Sequence, residues 1–198
     1  MTTLLSTVLY IAAAIGAAGF ISFLVGRFFQ VDPLPSEICF FNTEDGWRLA
    51  LRRYPPSKPL VGALPVVLCP GFGLSATIFD LMEEVSLARF LQEHGHDVWL
   101  LDMRGRGHAD RPRLWGRRRR TWSFDDFVDF DVPAALEEVC RLSGANKVQW
   151  IGFSAGAMTL MASRAEQVNN RLASLVGLAT CTSFKRQRQL LTTWRKRA

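Results

Sequence analysis

Apolar and polar positions fall into one long uncharged run followed by short blocks whose period switches between that of a strand and that of a helix. From Leu4 to Gly26 no charge occurs over 23 residues. A helix needs ~20 residues to cross a bilayer core, so the pattern predicts a transmembrane anchor over residues 1–30, with membrane contact through residues 4–26. No Lys or Arg precedes Arg27, which argues against a cleaved signal peptide. Arg27, Arg48, Arg52 and Arg53 lie on the C-terminal side, and the positive-inside bias then places the globular part in the cytoplasm. Pro33 and Pro35 make 31–36 a linker, leaving 37–198 as the globular domain.

In that domain Glu37–Phe41 and Trp47–Arg53 are β-rich runs around the polar turn Asn42–Gly46, a hairpin pattern. Leu64–Cys69 is continuously apolar and ends at Pro70-Gly71-Phe72-Gly73, which predicts a buried strand followed by a glycine turn. Ile78–His94 has helical periodicity, with Gly95 as its stop. Next come a strand at Asp97–Leu101, an arginine-rich loop, and a helix from Ser123 to about Leu142. Ser123 and Asp126 form a capping box for that helix, and Pro133 predicts a kink or a split inside it. Lys147–Gly152 reads as a strand, Ala155–Gln167 as a helix and Leu172–Ala179 as a further strand. Strands alternating with helices define an α/β class with a mainly parallel sheet covered on both faces.

Composition supports a packed core, with 48% hydrophobic and 21% charged residues. The net charge of +6 is local: residues 111–120 hold six arginines, and 185–197 hold six Lys or Arg, neither stretch with an acid. Without those two stretches the chain is net acidic. Such clustering excludes a nucleic-acid partner, which would need basic residues spread over one face. The runs themselves read as a solvated loop at 117–120 and a basic tail at Lys185–Arg197. Cys39, Cys69, Cys140 and Cys181 lack ligand spacing, so neither a metal site nor a disulfide scaffold is expected, and the thiols read as buried or half-buried. No cofactor is implied.

The sharpest chemical signal is Gly152-Phe153-Ser154-Ala155-Gly156, a G-x-S-x-G pentapeptide between the strand KVQWI and the helix AGAMTLMASRA. In that setting a serine sits on a tight strand-to-helix turn, and Gly152 and Gly156 let the two elements approach. Ser154 is therefore the candidate nucleophile. The backbone N–H of Ala155 points toward an oxyanion site, and the N–H of Phe72 in the earlier glycine turn is the second candidate donor.

The segments GHDVWLLDMRGRGHAD, WSFDDFVDFDVPAALEEV and KVQWIGFSAGAMTL resemble the acid-lipase and bacterial carboxylesterase branch of the α/β-hydrolases, over about residues 37–181. EEVSLARFLQEHGHDVWLLD also resembles the polyester synthases, which use Cys where this chain has Ser154. The resemblance implies an α/β-hydrolase fold and hydrolysis of a carboxylic ester, small-molecule or lipid, by a serine triad in chain order Ser, Asp or Glu, His. After Ser154 there is no His and no Asp, and Glu166 is the only acid. The expectation is a chain cut before the triad acid and histidine, with the C-terminal strands of the sheet missing. The strand Leu172–Ala179 would then be an open apolar edge, inviting self-association.

Two other readings stand beside this one: a noncatalytic tethered interaction module, and a polyester-synthase-like acyltransferase. His94 and His96 flank Gly95 as surface residues, whereas His108 lies in the loop after the Asp102 strand, where a substitute base would have to sit. Asp125, Asp126 and Asp131 read as capping or solvated helix carboxylates. Asp102 and Arg104 resemble the family's structural Asp-x-Arg-Gly turn and read as a salt link within the loop.

Overall fold

The computed structural model describes residues 2–28, 37–112, 121–163, 165–168 and 170–181. The chain forms two compact units, Met1–Asp32 and Pro33–Ala198. The first contains helix α1, Thr2–Phe28, 27 residues long. The expected helix therefore forms, and among the described residues no helix is long and apolar enough to cross a membrane.

The second unit is built on a six-stranded sheet in the order β1-β2-β4-β3-β5-β6. Its strands are β1 Glu37–Asn42, β2 Arg48–Tyr54, β3 Val66–Cys69, β4 Val98–Asp102, β5 Val148–Phe153 and β6 Leu172–Leu178. The β1–β2 hairpin is antiparallel, β2 pairs antiparallel with β4, and β4, β3, β5 and β6 are parallel. Thr43 closes the hairpin: its N–H donates to Trp47 O at 2.8 Å, and its hydroxyl accepts from Trp47 N at 2.9 Å.

The central strands read as continuous apolar runs because both faces are buried. Val67, Cys69, Trp99, Leu101, Leu49 and Leu51 face one core, together with Val132, Leu136 and Val139 of helix α4, Val132–Ser143. Val66, Leu68, Val98, Leu100 and Tyr54 alternate to the other face, against Ala76, Phe79 and Ala88. This two-residue alternation sets the layers.

Helix boundaries depart from the expected ones. Ile78–His94 is not one helix but two 3-10 turns, Ala76–Phe79 and Glu83–Val85, followed by α2, Leu87–Glu93. Ser86 causes the break: its hydroxyl accepts from Arg89 N at 3.0 Å and caps a new helix start. The capping box at Ser123 and Asp126 opens α3, Phe124–Asp126. The expected split then occurs as a π-helical stretch, Phe127–Asp131, and Pro133 falls in the first turn of α4, where its missing N–H costs nothing. Helix α5, Ala155–Ala162, stops at extended Ser163, and α6, Ala165–Val168, follows. Among the described residues β6 is bonded on one side only, to β5, and its Val176 and Leu178 are exposed.

Candidate active site

The strand order reverses direction at β3. The chain moves from β3 to β4 on one side and to β5 on the other, so the turns leaving β3 and β5 meet at the crevice where open α/β sheets bind ligands. Ser154 ends β5 and precedes α5 with φ 49° and ψ −115°, a conformation that L-residues adopt only when their surroundings impose it. The surroundings do so here. A Cβ on Gly152 would overlap the backbone of Ala157, and one on Gly156 would overlap the carbonyl of Cys69. Any other residue at either place would push strand and helix apart. The Ser154 N–H donates to Leu178 O of β6 at 2.8 Å, and its carbonyl accepts from Ala157 and Met158 N–H. The backbone is thus held from both sides, and the side chain is half-buried.

Gly71 brings the other turn against this elbow: a Cβ there would lie 3.3 Å from both Ser154 Cβ and Phe153 O. Phe72 follows with its ring half-exposed and packed against Phe124 and Phe127, at centroid distances of 5.7 and 5.2 Å. Ala155 is the first residue of α5, so its N–H has no intrahelical partner by position. The structure therefore places Ser154, Ala155, Gly152, Gly156 and the Phe72 turn together at one strand-end crevice.

Other expected roles change. Asp102 and Arg104 do not pair with each other. Asp102 accepts Arg52 Nε at 3.0 Å and Nη2 at 2.8 Å, Ala76 N at 2.9 Å and His108 N at 3.1 Å. Arg104 instead reaches Asp131 at 2.6 Å and Asp45 at 2.7 Å. The turn after β4 carries the two side chains to different partners. Asp131 is consequently no solvated helix carboxylate: it is fully buried, and burial pushes its carboxyl up to about 6 against the pull of Arg104. The Arg104 guanidinium is raised in spite of burial by Asp131 and Asp45, and stays charged. Asp125 is exposed as expected, and Asp126 caps α3.

His108 Nδ1 lies 3.3 Å from Asp102 Oδ2, with 40% of the side chain exposed. His94 is exposed, whereas His96 is half-buried with Nδ1 lacking a hydrogen-bond partner among the described residues. Cys69 and Cys140 are buried and Cys39 half-buried, but Cys181 is exposed, contrary to the expectation for all four thiols. The arginine run 117–120 and the tail Lys185–Arg197 lie outside the described residues. Among the described residues no group of three or more His, Cys, Asp or Glu is arranged to hold a metal.

Sequence reasoning missed the Arg52–Asp102 pair, since nothing in the spacing of two residues 50 apart announces contact across β2 and β4. It also missed an aromatic cavity of about 280 Å³ beside the Phe72 turn. The alternating aromatics of Trp122-Ser123-Phe124 were the available signal.

This sheet order and elbow define an α/β-hydrolase architecture, and the chain belongs to the alpha/beta hydrolase fold family, whose model matches residues 65–197. Lipase 1 of Drosophila melanogaster is 31% identical over 161 residues, covering 76% of this chain and 35% of that protein. Gastric triacylglycerol lipase of Bos taurus is 30% identical over 135 residues, 62% of this chain and 33% of that protein. The chain spans about a third of the length of these curated relatives. Among solved structures, esterase RhEst1 from Rhodococcus sp. ECU1013 superposes with a TM-score of 0.56 at 22% identity, over 75% of this chain and 48% of that one. Epoxide Hydrolase A from Mycobacterium thermoresistibile gives 0.54, also at 22%, over 80% and 44%. Likeness at this identity carries the fold alone, and these two enzymes, an esterase and an epoxide hydrolase, differ in reaction.

Proposed function

We propose that the chain carries the nucleophile-bearing part of a serine hydrolase acting on carboxylic esters. The observation that supports this most is the imposed positive φ of Ser154, with the Gly71–Phe72 turn packed against it. Ser154 Oγ attacks the acyl carbon, and the N–H groups of Phe72 and Ala155 stabilise the oxyanion that develops. The lipase relatives support an ester as substrate. No His or Asp follows Ser154 in these 198 residues and Glu166 is the only acid there, so a triad in chain order needs an acid and a base from elsewhere.

Fluorophosphonate labelling tests the reading. A protein extended by its downstream sequence labels strongly, and Ser154→Ala abolishes the label. The 198 residues alone label weakly, because an unassisted serine hydroxyl is a poor nucleophile at neutral pH. An unlabelled extended protein would point instead to the noncatalytic interaction module.

A second reading has its own observation, the contact of His108 with buried Asp102. If His108 is the base, the 198 residues label strongly by themselves and His108→Ala removes the label. Membrane attachment through residues 4–26 rests on the uncharged sequence, with the domain on the cytoplasmic side; carbonate extraction tests it, release into the supernatant being the contrary result. Self-association through the exposed outer side of β6 is tested by sedimentation of residues 31–198, where a stable monomer at tens of micromolar removes the idea.

A further inference from the structure

We propose that the cavity beside the Phe72 turn recognises a ring-sized apolar group bearing an anionic substituent. The inference rests on the ester reading above for its role, since it makes the cavity the seat of one substituent of the ester. The cavity begins where the Ser154 elbow ends, because Gly71, which touches Ser154, is also part of its wall. Its body is aromatic: Phe72, Phe124, Phe127 and Trp122 line it, and Trp122 stands edge-on to Phe127 at 6.5 Å. Edge-to-face surfaces of this kind favour another ring over an open chain. A volume of about 280 Å³ compares with ~150 Å³ for an apolar cavity that holds benzene, so a ring and a short substituent fit.

Charge at the wall is of one sign. Two arginines reach it, Arg104 and Arg106, and among the described residues no carboxylate lines it. Arg104 is already engaged by Asp131 and Asp45. Arg106 is exposed and makes no ion pair among the described residues, and its guanidinium lies 3.9 Å from the point where a Cβ on Gly73 would sit. A cation that makes no ion pair among the described residues, in the wall of an aromatic chamber, suits a carboxylate or similar anion carried on the ring. A purely apolar ring would leave the guanidinium unused, and a cationic one would be repelled.

Binding of unreactive probes tests this on the whole chain carrying Ser154→Ala, so the readout does not depend on hydrolysis. Benzoate, toluene and benzylamine are titrated while the indole N–H resonance of Trp122, assigned by Trp122→Phe, is followed. Benzoate is expected to bind more tightly than toluene, and benzylamine least. Arg106→Gln weakens benzoate about threefold, the size of an exposed ion pair, and leaves toluene unchanged; raising salt acts in the same sense. Phe124→Ala weakens both ring ligands, and Phe124→Leu serves if the alanine variant fails to fold. Equal binding of benzoate and toluene, or benzoate binding indifferent to Arg106→Gln, overturns the proposal. If Ser154 fails to label while benzoate binds as expected, the ester reading falls and the recognition site stands.

Discussion

The turns that leave β4 and β5 stand two strands apart at the same end of the sheet, yet they are held by opposite means. The β5 turn is shaped by steric fit and backbone hydrogen bonds, with no charged group. Gly152 and Gly156 remove every atom that would keep strand from helix, and the cost is taken by Ser154, whose backbone sits at φ 49° with a hydroxyl that forms no hydrogen bond among the described residues. The β4 turn is shaped by charge. Asp102 and Arg104 are buried, and each has its full set of partners: Arg52, Ala76 and His108 for the first, Asp131 and Asp45 for the second. A strained backbone with an unengaged polar group is a place where free energy is held back for a ligand. A pair of saturated charges such as Asp102 and Arg104 has nothing left to offer one. The proposed nucleophile thus sits on the strained β5 turn, while Asp102 and Arg104 hold the β4 turn in place, although that turn is the richer in titratable residues.

The largest expected effect breaks the β4 side. Asp102→Ala strands the Arg52 guanidinium, whose side chain is 2% exposed, without its bidentate partner, and should cost ~3–5 kcal/mol in urea unfolding. A loss below ~1 kcal/mol would mean that water, beside the bond Arg52 Nη1 already makes to Thr77 Oγ1 at 3.0 Å, is a sufficient substitute. Next comes the β5 side: Gly156→Val drives a branched side chain into the Cys69 carbonyl and should cost ~1–3 kcal/mol as an overpacked contact. Smaller again is Ser154→Gly, which should raise stability by ~1 kcal/mol, since glycine adopts the positive φ without strain. Ser154→Ala keeps the Cβ and should show no such gain. If the two substitutions behave alike, the elbow is not strained.

The layers and the elbow were legible in the chain because each depends on local order. KVQWI followed by GFSAG states a buried strand and a tight turn within ten residues, and Ser123 with Asp126 states a helix start within four. Two things were not legible. Ile78–His94 looks helical by apolar spacing, yet Ser86 and Asp80 take polar partners there, Arg89 and Tyr54 among them, that end one turn and begin another. The pairing of Asp102 and Arg104 is the second case: residues two apart look like partners, but Arg52 comes from β2 and Asp131 from the π-helical stretch before α4, and only the folded register brings them near. Long-range polar contacts leave no periodic trace.

The smallest effect separates two buried carboxylates by pH. Asp80 is raised by burial but lowered further by hydrogen bonds from Ser86, Arg89 and Tyr54, so it ends below the ordinary range. Its stabilisation is present above ~4 and is lost only as pH falls through that lowered value, so it is constant between pH 7 and pH 6. Asp131 goes the other way, up to about 6 from 3.8, because loss of water around it outweighs Arg104. Between those two values the folded state holds a proton that the unfolded chain has released, so stability from this group increases as pH falls. From pH 7 to pH 6 the gain should be only ~0.4 kcal/mol. Urea midpoints at the two pH values, compared between the natural chain and Asp131→Asn, isolate it. The natural chain should gain that increment, and the variant should lack it even though its overall stability is lower. A natural chain whose stability relative to the variant does not change over this interval would mean that Arg104 wins and that Asp131 stays charged in the core.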